Sequence, residues 1–175
     1  TGRYDFLNHV LSLGRDIAWR RFAVKKMVFF KTKRFLDVAC GTADLSIMAV
    51  QKHMGIDAIG VDFVEAMLKT GKEKIKKKFM ETDICLINGD ALSLPLKENS
   101  FDVSAIAFGI RNIPNRIKAL KEMVRVVVPG GQVMVLEMSR IKSRFLKKVF
   151  QIYLNRILPE IAKFFTFNPA AYQYL

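Results

Sequence analysis

Asp37, Asp62 and Asp90 each lie in or just beyond a short apolar run, and Gly41 follows the first of them by four residues. The stretch Asp37-Val38-Ala39-Cys40-Gly41-Thr42-Ala43-Asp44 turns from a strand pattern into a helix pattern. A glycine there lets the backbone approach a ligand, and the helix start beyond it favours negative charge. An acid ending a second strand can accept both hydroxyls of a ribose. A carboxylate after a third strand can accept from the exocyclic amine of adenine. Each acid alone reads as a solvated loop residue or a helix cap. Three at successive strand ends, with Gly41 beside them, read as an adenosine site. A dinucleotide G-x-G-x-x-G loop would need glycine where Ala43 and Ser46 stand, and the GK[ST] of a phosphate-binding loop is absent.

The elements that must position these residues follow from periodicity. Apolar runs at 34–40, 57–62, 83–89, 101–108 and 132–138 read as strands. The segments 43–53, 65–79 and 115–128 read as helices, the last stopped by Pro129-Gly130-Gly131. Continuous apolar strands separated by helices predict a parallel sheet covered on both faces, and right-handed crossovers make it a doubly wound α/β fold. Residues 4–27 and 143–175 read as helical. Ligands of such sheets bind beyond the carboxyl ends of the strands, where strand order reverses.

The chain has 175 residues, 51% hydrophobic, enough for one domain and too apolar for disorder. No apolar run reaches the ~18 residues of a membrane span, and the opening TGRYDFLNHV has no signal-peptide core. The expectation is a cytoplasmic protein. Cys40 and Cys85 are too few for a disulfide framework or a thiolate cage, and His9 and His53 have no partner at metal-ligand spacing. No metal is expected. A net charge of +13, from 29 basic and 16 acidic side chains, points to an anionic partner.

The strand-end pattern resembles the class I S-adenosylmethionine-dependent methyltransferases, whose first motif is D-x-x-x-G-x-G; Ala43 stands at its last glycine. Four further blocks are similar to the ubiquinone/menaquinone biosynthesis C-methyltransferases. These are Tyr4-Asp5-Phe6-Leu7-Asn8 with Ser12 and Trp19, then Phe108-Gly109-Ile110-Arg111-Asn112, then Arg125 to Ser139 with its Pro-Gly-Gly and Glu137. The last is Leu158-Pro159 with Ala171-Tyr172-Gln173-Tyr174-Leu175. Asp16 replaces a usual histidine and Val128 a usual lysine. The resemblance divides the chain into a helical lid (1–33), a cofactor-binding α/β core (34–139) and a helical tail (140–175), and the family continues into further sheet strands, so the expectation is a truncated domain.

The resemblance implies C-methylation of a polyprenylated quinol ring, a demethylmenaquinol or a methoxybenzoquinol, with S-adenosylmethionine as donor. It implies cofactor contacts from Asp37, Gly41, Thr42, Asp62, Phe63, Asp90, Ala91 and Ala107, and substrate contacts from Tyr4, Asn8, Phe108 and Arg111. A sulfonium is a strong leaving group, so placement supplies most of the rate, and the quinol hydroxyl must still lose or share its proton. Arginine is effectively always protonated and unsuited to be a base. Arg111 is therefore expected to stabilise the developing phenolate, with Asn112 orienting a water or the second quinol oxygen; His9 is an outside candidate for the base.

The same residues bear on other readings. A nucleic-acid methyltransferase acting on exocyclic base amines would carry [DNS]-P-P-[FY] after the fourth strand, where Ala107-Phe108-Gly109-Ile110 stands, and neither cysteine follows a proline as a C5-pyrimidine enzyme would need. No nucleic-acid partner is expected. A non-catalytic scaffold of the same fold, or a methyltransferase acting on another small molecule, stays open, as does the choice between a homodimer and a biosynthetic complex. A nicotinamide oxidoreductase is disfavoured by Ala43 and Ser46. The charge concentrates in two stretches: eight basic residues and one acid between Arg15 and Arg34, and six basic residues and no acid between Glu137 and Glu160. Both are interleaved with large apolar side chains, which suits contact with anionic lipid on the inner face of a membrane. The cluster Lys69–Lys78 reads as the solvated face of a helix.

Overall fold

The computed structural model describes residues 15–137. They begin with helix α1 (Arg15–Lys25), then alternate: β1 (Arg34–Val38), α2 (Asp44–Lys52), β2 (Asp57–Asp62), α3 (Glu65–Lys77), β3 (Ile84–Asn88) and β4 (Phe101–Ala107). A short 3-10 turn (Ile110–Asn112), α4 (Arg116–Val126) and β5 (Val127–Leu136) complete them. These residues belong to one compact unit, Thr1–Met138; Ser139–Leu175 forms a second. Among the described residues the five strands form one sheet in the order β3-β2-β1-β4-β5, with every neighbouring pair parallel. The order reverses between β1 and β4, and a ligand crevice belongs beyond their carboxyl ends.

Two apolar clusters cover the two faces, one built on Phe35, Ala58, Leu68, Ile75 and Val103, the other on Leu36, Val38, Phe101, Ile106 and Met123. Adjacent residues of β1 and of β4 thus bury on opposite faces, as strands covered on both sides require. Helix α3 buries Leu68, Gly71 and Ile75, one stripe at helical spacing. A Cβ at Gly71 would lie 2.8 Å from Leu86 and 3.3 Å from the Thr42 carbonyl carbon, so only glycine lets α3 pack this close to the β1–α2 turn. The amide of Lys118 in α4 is capped by the side chain of Asn115.

The doubly wound parallel sheet matches the sequence expectation, while two local expectations need correction. Pro129-Gly130-Gly131 does not separate α4 from the last strand: the helix ends at Val126 and β5 starts at Val127. The register against β4 jumps from Phe101↔Val127 to Val103↔Gln132, so the Pro-Gly-Gly run is a bulge inside the strand. Gly131 is required there, since a Cβ would come within 2.6 Å of the Asp102 carbonyl oxygen. The second correction concerns the basic cluster on α3. Lys69, Lys72, Lys76, Lys77 and Lys78 are exposed, but Lys74 turns inward and donates to Thr42 Oγ1 at 2.7 Å and Asp44 Oδ1 at 2.9 Å.

Asp102, fully buried on β4, was not singled out by sequence. Its carboxylate accepts the backbone amides of Lys31, Thr32 and Lys33, the shortest at 2.7 Å, and so fixes the turn that leads into β1. Gln132 of β5 holds the same connection, accepting from the Val28 amide and donating to the Lys26 carbonyl. His53 bonds through Nε2 to the Val24 carbonyl and meets Phe29 edge-on, which gives it a packing role between α1 and α2.

Candidate active site

The turn from β1 to α2 uses left-handed backbone at alternate residues: Ala39 (φ 51°), Gly41 (φ 56°) and Ala43 (φ 66°). Glycine costs nothing in that region; alanine does, by about 1 kcal/mol or more. Ala43 is also fully buried, so its methyl packs in the core while its backbone is strained. It caps α2 without a side-chain bond, and Asp37 supplies what is missing: Oδ2 accepts the Ser46 amide at 3.1 Å and the Ser46 hydroxyl at 2.7 Å. Burial pushes the Asp37 carboxyl up to about 7, against the pull of the Ser46 hydrogen bonds and of nearby Arg20. Burial likewise raises the Cys40 thiol far above its usual value, which leaves it a small buried group rather than a nucleophile.

Asp62, ending β2, binds this turn from the side. Oδ2 accepts the Gly41 amide at 2.8 Å and Oδ1 the Val64 amide at 2.8 Å. Each carboxylate oxygen keeps accepting capacity beyond one bond, so a ribose diol can still be received. Asn88, opposite Asp62 in register, donates to the carbonyls of Asp62 and Phe63. Asp90 follows two residues later in an Asx turn, accepting the Leu92 amide at 2.8 Å. Three acids thus stand at or beyond the ends of neighbouring strands.

An open cleft lies beside the turn, lined by Asp37, Gly41, Thr42 and Asp44 on one side and Ala107 and Phe108 on the other. Helix α1 adds Arg20, a residue sequence reasoning passed over. The Arg20 guanidinium pairs with the buried Asp16 at 2.5 Å and lies 5.0 Å from the centre of the Phe108 ring; Trp19 packs against the same ring at 6.2 Å. A helical arginine followed by another arginine reads as solvated surface. The signal that could have found it is Asp16, an acid one turn earlier on a face whose other residues are apolar or basic.

Past β4, Phe108 takes a left-handed backbone (φ 58°), and the 3-10 turn presents Arg111 and Asn112, both exposed. Arg111 Nη1 donates to Glu137 Oε1 at 2.7 Å, at the end of β5. Of the site residues expected from sequence, Asp37, Gly41, Thr42, Ala107 and Phe108 line one cleft. Asp62 joins it through Gly41; Asp90, Ala91 and the exposed Phe63 stand at the adjoining strand ends and do not line it. Tyr4, Asn8 and His9 lie outside the described residues. No group of three metal-ligating side chains, and no helix long and apolar enough to cross a membrane, occurs among the described residues.

Comparison with known proteins identifies the family of the chain. The chain is 40% identical over 177 residues to the demethylmenaquinone methyltransferase of Staphylococcus haemolyticus, covering 100% of this chain and 72% of that protein. It is 41% identical over 174 residues to the ubiquinone/menaquinone biosynthesis C-methyltransferase UbiE of Geotalea daltonii, covering 99% and 74%. The fold resembles that of a putative S-adenosylmethionine-dependent methyltransferase from Methanococcus maripaludis, with TM-score 0.69, 17% identity and coverage of 93% of this chain and 73% of that one. The model of the ubiE/COQ5 methyltransferase family matches residues 1–175. With its switch-point cleft, its Gly41 turn and its strand-end acids, the chain belongs to the ubiE/COQ5 methyltransferase family and is an S-adenosylmethionine-dependent methyltransferase.

Proposed function

We propose that this enzyme methylates a ring carbon of a polyprenylated quinol, a demethylmenaquinol or a methoxybenzoquinol. The observation that carries the reading is the placement of Arg111 one short turn beyond Phe108, which lines the cleft, with Glu137 fixing its guanidinium. The names of the relatives support the same acceptor class.

The donor set fits the cofactor: an open glycine turn, a ribose-sized carboxylate at Asp62 with acceptor capacity left, and a purine-edge carboxylate at Asp90. When bound, S-adenosylmethionine supplies a methyl group on a positively charged sulfur. Asp62 would take the ribose hydroxyls and Asp90 the adenine amine, while Gly41, Thr42 and Ala107 line the cleft and Phe63 and Ala91 flank the adenosine from the adjoining strand ends. Asp37 shapes the turn by capping α2. Across the cleft, Phe108 offers an aromatic face for the quinol ring. Arg111 donates to the quinol oxygen as it gains phenolate charge, and so raises the nucleophilicity of the neighbouring carbon. Asn112 orients a water that receives the hydroxyl proton, or the second quinol oxygen. Tyr4 and Asn8, outside the described residues, are assigned to substrate contact by the family resemblance alone.

The enzyme meets its substrate at an anionic bilayer surface. Exposed Phe22 and Phe30, with Val28, sit among Arg21, Lys25, Lys26 and Lys31, a composition that combines apolar insertion with attraction of about 1 kcal/mol per basic residue near such a surface. Co-sedimentation with vesicles of anionic lipid at low salt, lost in Phe22→Ser/Phe30→Ser, tests this. The acceptor is tested by turnover of a demethylmenaquinol and a benzoquinol analogue with methyl-labelled S-adenosylmethionine. Methylation of neither would overturn the proposal.

A further inference from the structure

We propose that Arg20 takes the methionyl carboxylate of S-adenosylmethionine and that Asp16 holds its guanidinium ready to do so. The inference rests on the family's methyl donor and not on the identity of the acceptor.

The cleft wall carries two carboxyl groups, Asp37 and Asp44, and among the described residues Arg20 is the only cationic side chain that lines it. The methionyl end of the donor carries an ammonium, for which these carboxyl groups are acceptors, and one carboxylate, for which they are not. A carboxylate in a partly enclosed cleft needs a positive donor, and a guanidinium fork is the best geometric match. Lys74, the next cation along the turn, spends its ammonium on Thr42 and Asp44.

Arg20 is also built as a fixed donor rather than a mobile surface group. Its side chain is 12% exposed and that of Asp16 is 8% exposed. The pair closes one turn of α1, and the guanidinium rests 5.0 Å from the Phe108 ring centre, so two sides of the group are held. The bond to Asp16 uses Nη1, and an arginine has five N–H donors to distribute. The electrostatic pull of Arg20 on Asp37 places the charge within reach of the cleft floor. Asp102 and Gln132 anchor the connection from α1 to β1, which sets the helix in register with the cleft.

A purely structural arginine, pinning α1 to Phe108, would affect all ligands of the cleft alike. The discriminating measurement is calorimetric binding of S-adenosylmethionine and of its decarboxylated analogue to the full-length protein, without acceptor. The wild type is expected to prefer the carboxylated form by roughly 10- to 100-fold, the range of a charged hydrogen-bonded contact. Arg20→Gln should bring that ratio close to one, leaving affinity for the decarboxylated form within about threefold. Asp16→Asn should lower the ratio partway. Equal weakening of both ligands in Arg20→Gln, an unchanged ratio, or no binding by the wild type would overturn the assignment. If Arg20→Gln does not fold by thermal denaturation, Arg20→Lys decides by the same ratio, which falls if the fork matters and stays if it does not. Failure of quinol methylation with normal donor binding would sink the acceptor reading and leave this one standing.

Discussion

Arg111 and Glu137 join the carboxyl-end regions of two adjacent strands: Nη1 of the arginine donates to Oε1 of the glutamate at 2.7 Å, and the Arg111 amide approaches Oε2 at 3.4 Å. One carboxylate thus fixes both the turn and the side chain beyond β4. If Arg111 stabilises phenolate charge, its aim depends on Glu137. Glu137→Gln is expected to lower kcat by about tenfold, and Arg111→Lys by roughly a hundredfold, because an ammonium cannot reproduce a positioned fork. Donor affinity should stay within about twofold in both, as expected for interactions made mainly in the transition state. Steady-state methyl transfer and calorimetric binding separate the two effects.

Ala43 holds left-handed backbone with its methyl buried. Ala43→Gly removes strain of about 1 kcal/mol and gives up a buried methyl and some chain entropy of similar size. Stability in urea should therefore change by less than ~1 kcal/mol either way. Ala43→Val meets both penalties at once, since a branched side chain is worse in that region and the core has no space; a loss above ~3 kcal/mol is expected.

Asp37 makes stability depend on pH. Its folded value of about 7 lies above the ordinary 3.8, so the native state prefers the protonated carboxyl. The stability this contributes is fully present below 3.8 and is lost as pH rises through about 7. The upper bound on the loss is about 4 kcal/mol by linkage. Asp37→Asn, which keeps an acceptor for Ser46, should flatten that slope between acid and neutral pH in denaturant titrations.

Asp102 answers three amides with one carboxylate. Asp102→Ala leaves three partly buried amides without their acceptor and should cost about 3 kcal/mol, while Asp102→Asn, with one acceptor oxygen left, should cost about half as much. Urea midpoints of the two variants check the order.

Much of the site was legible because strand-end acids and a glycine turn are local signals. Asp37, Gly41, Asp62 and Asp90 announce themselves by position in or after apolar runs, and a doubly wound parallel sheet follows from strand–helix alternation, whereas its order β3-β2-β1-β4-β5 is set by tertiary packing. The Pro-Gly-Gly bulge was misread because its chemistry also suits a turn, and only the partner strand decides between them. Arg20 and Lys74 were missed because their partners, Phe108 and Thr42, are brought to them by tertiary packing. Asp102 could have been found: the one charged residue of a buried strand must be answered by donors from elsewhere.

The amides of Lys31, Thr32 and Lys33 find their acceptor about 70 residues downstream. A chain emerging from the ribosome therefore cannot finish this turn until residue 102 has left the exit tunnel, and Arg20 on α1 cannot be seated before then. Hydrogen exchange at these three amides becomes a clock for the docking of β4. The donor half of the cleft, although encoded first, is completed only when the acceptor half arrives.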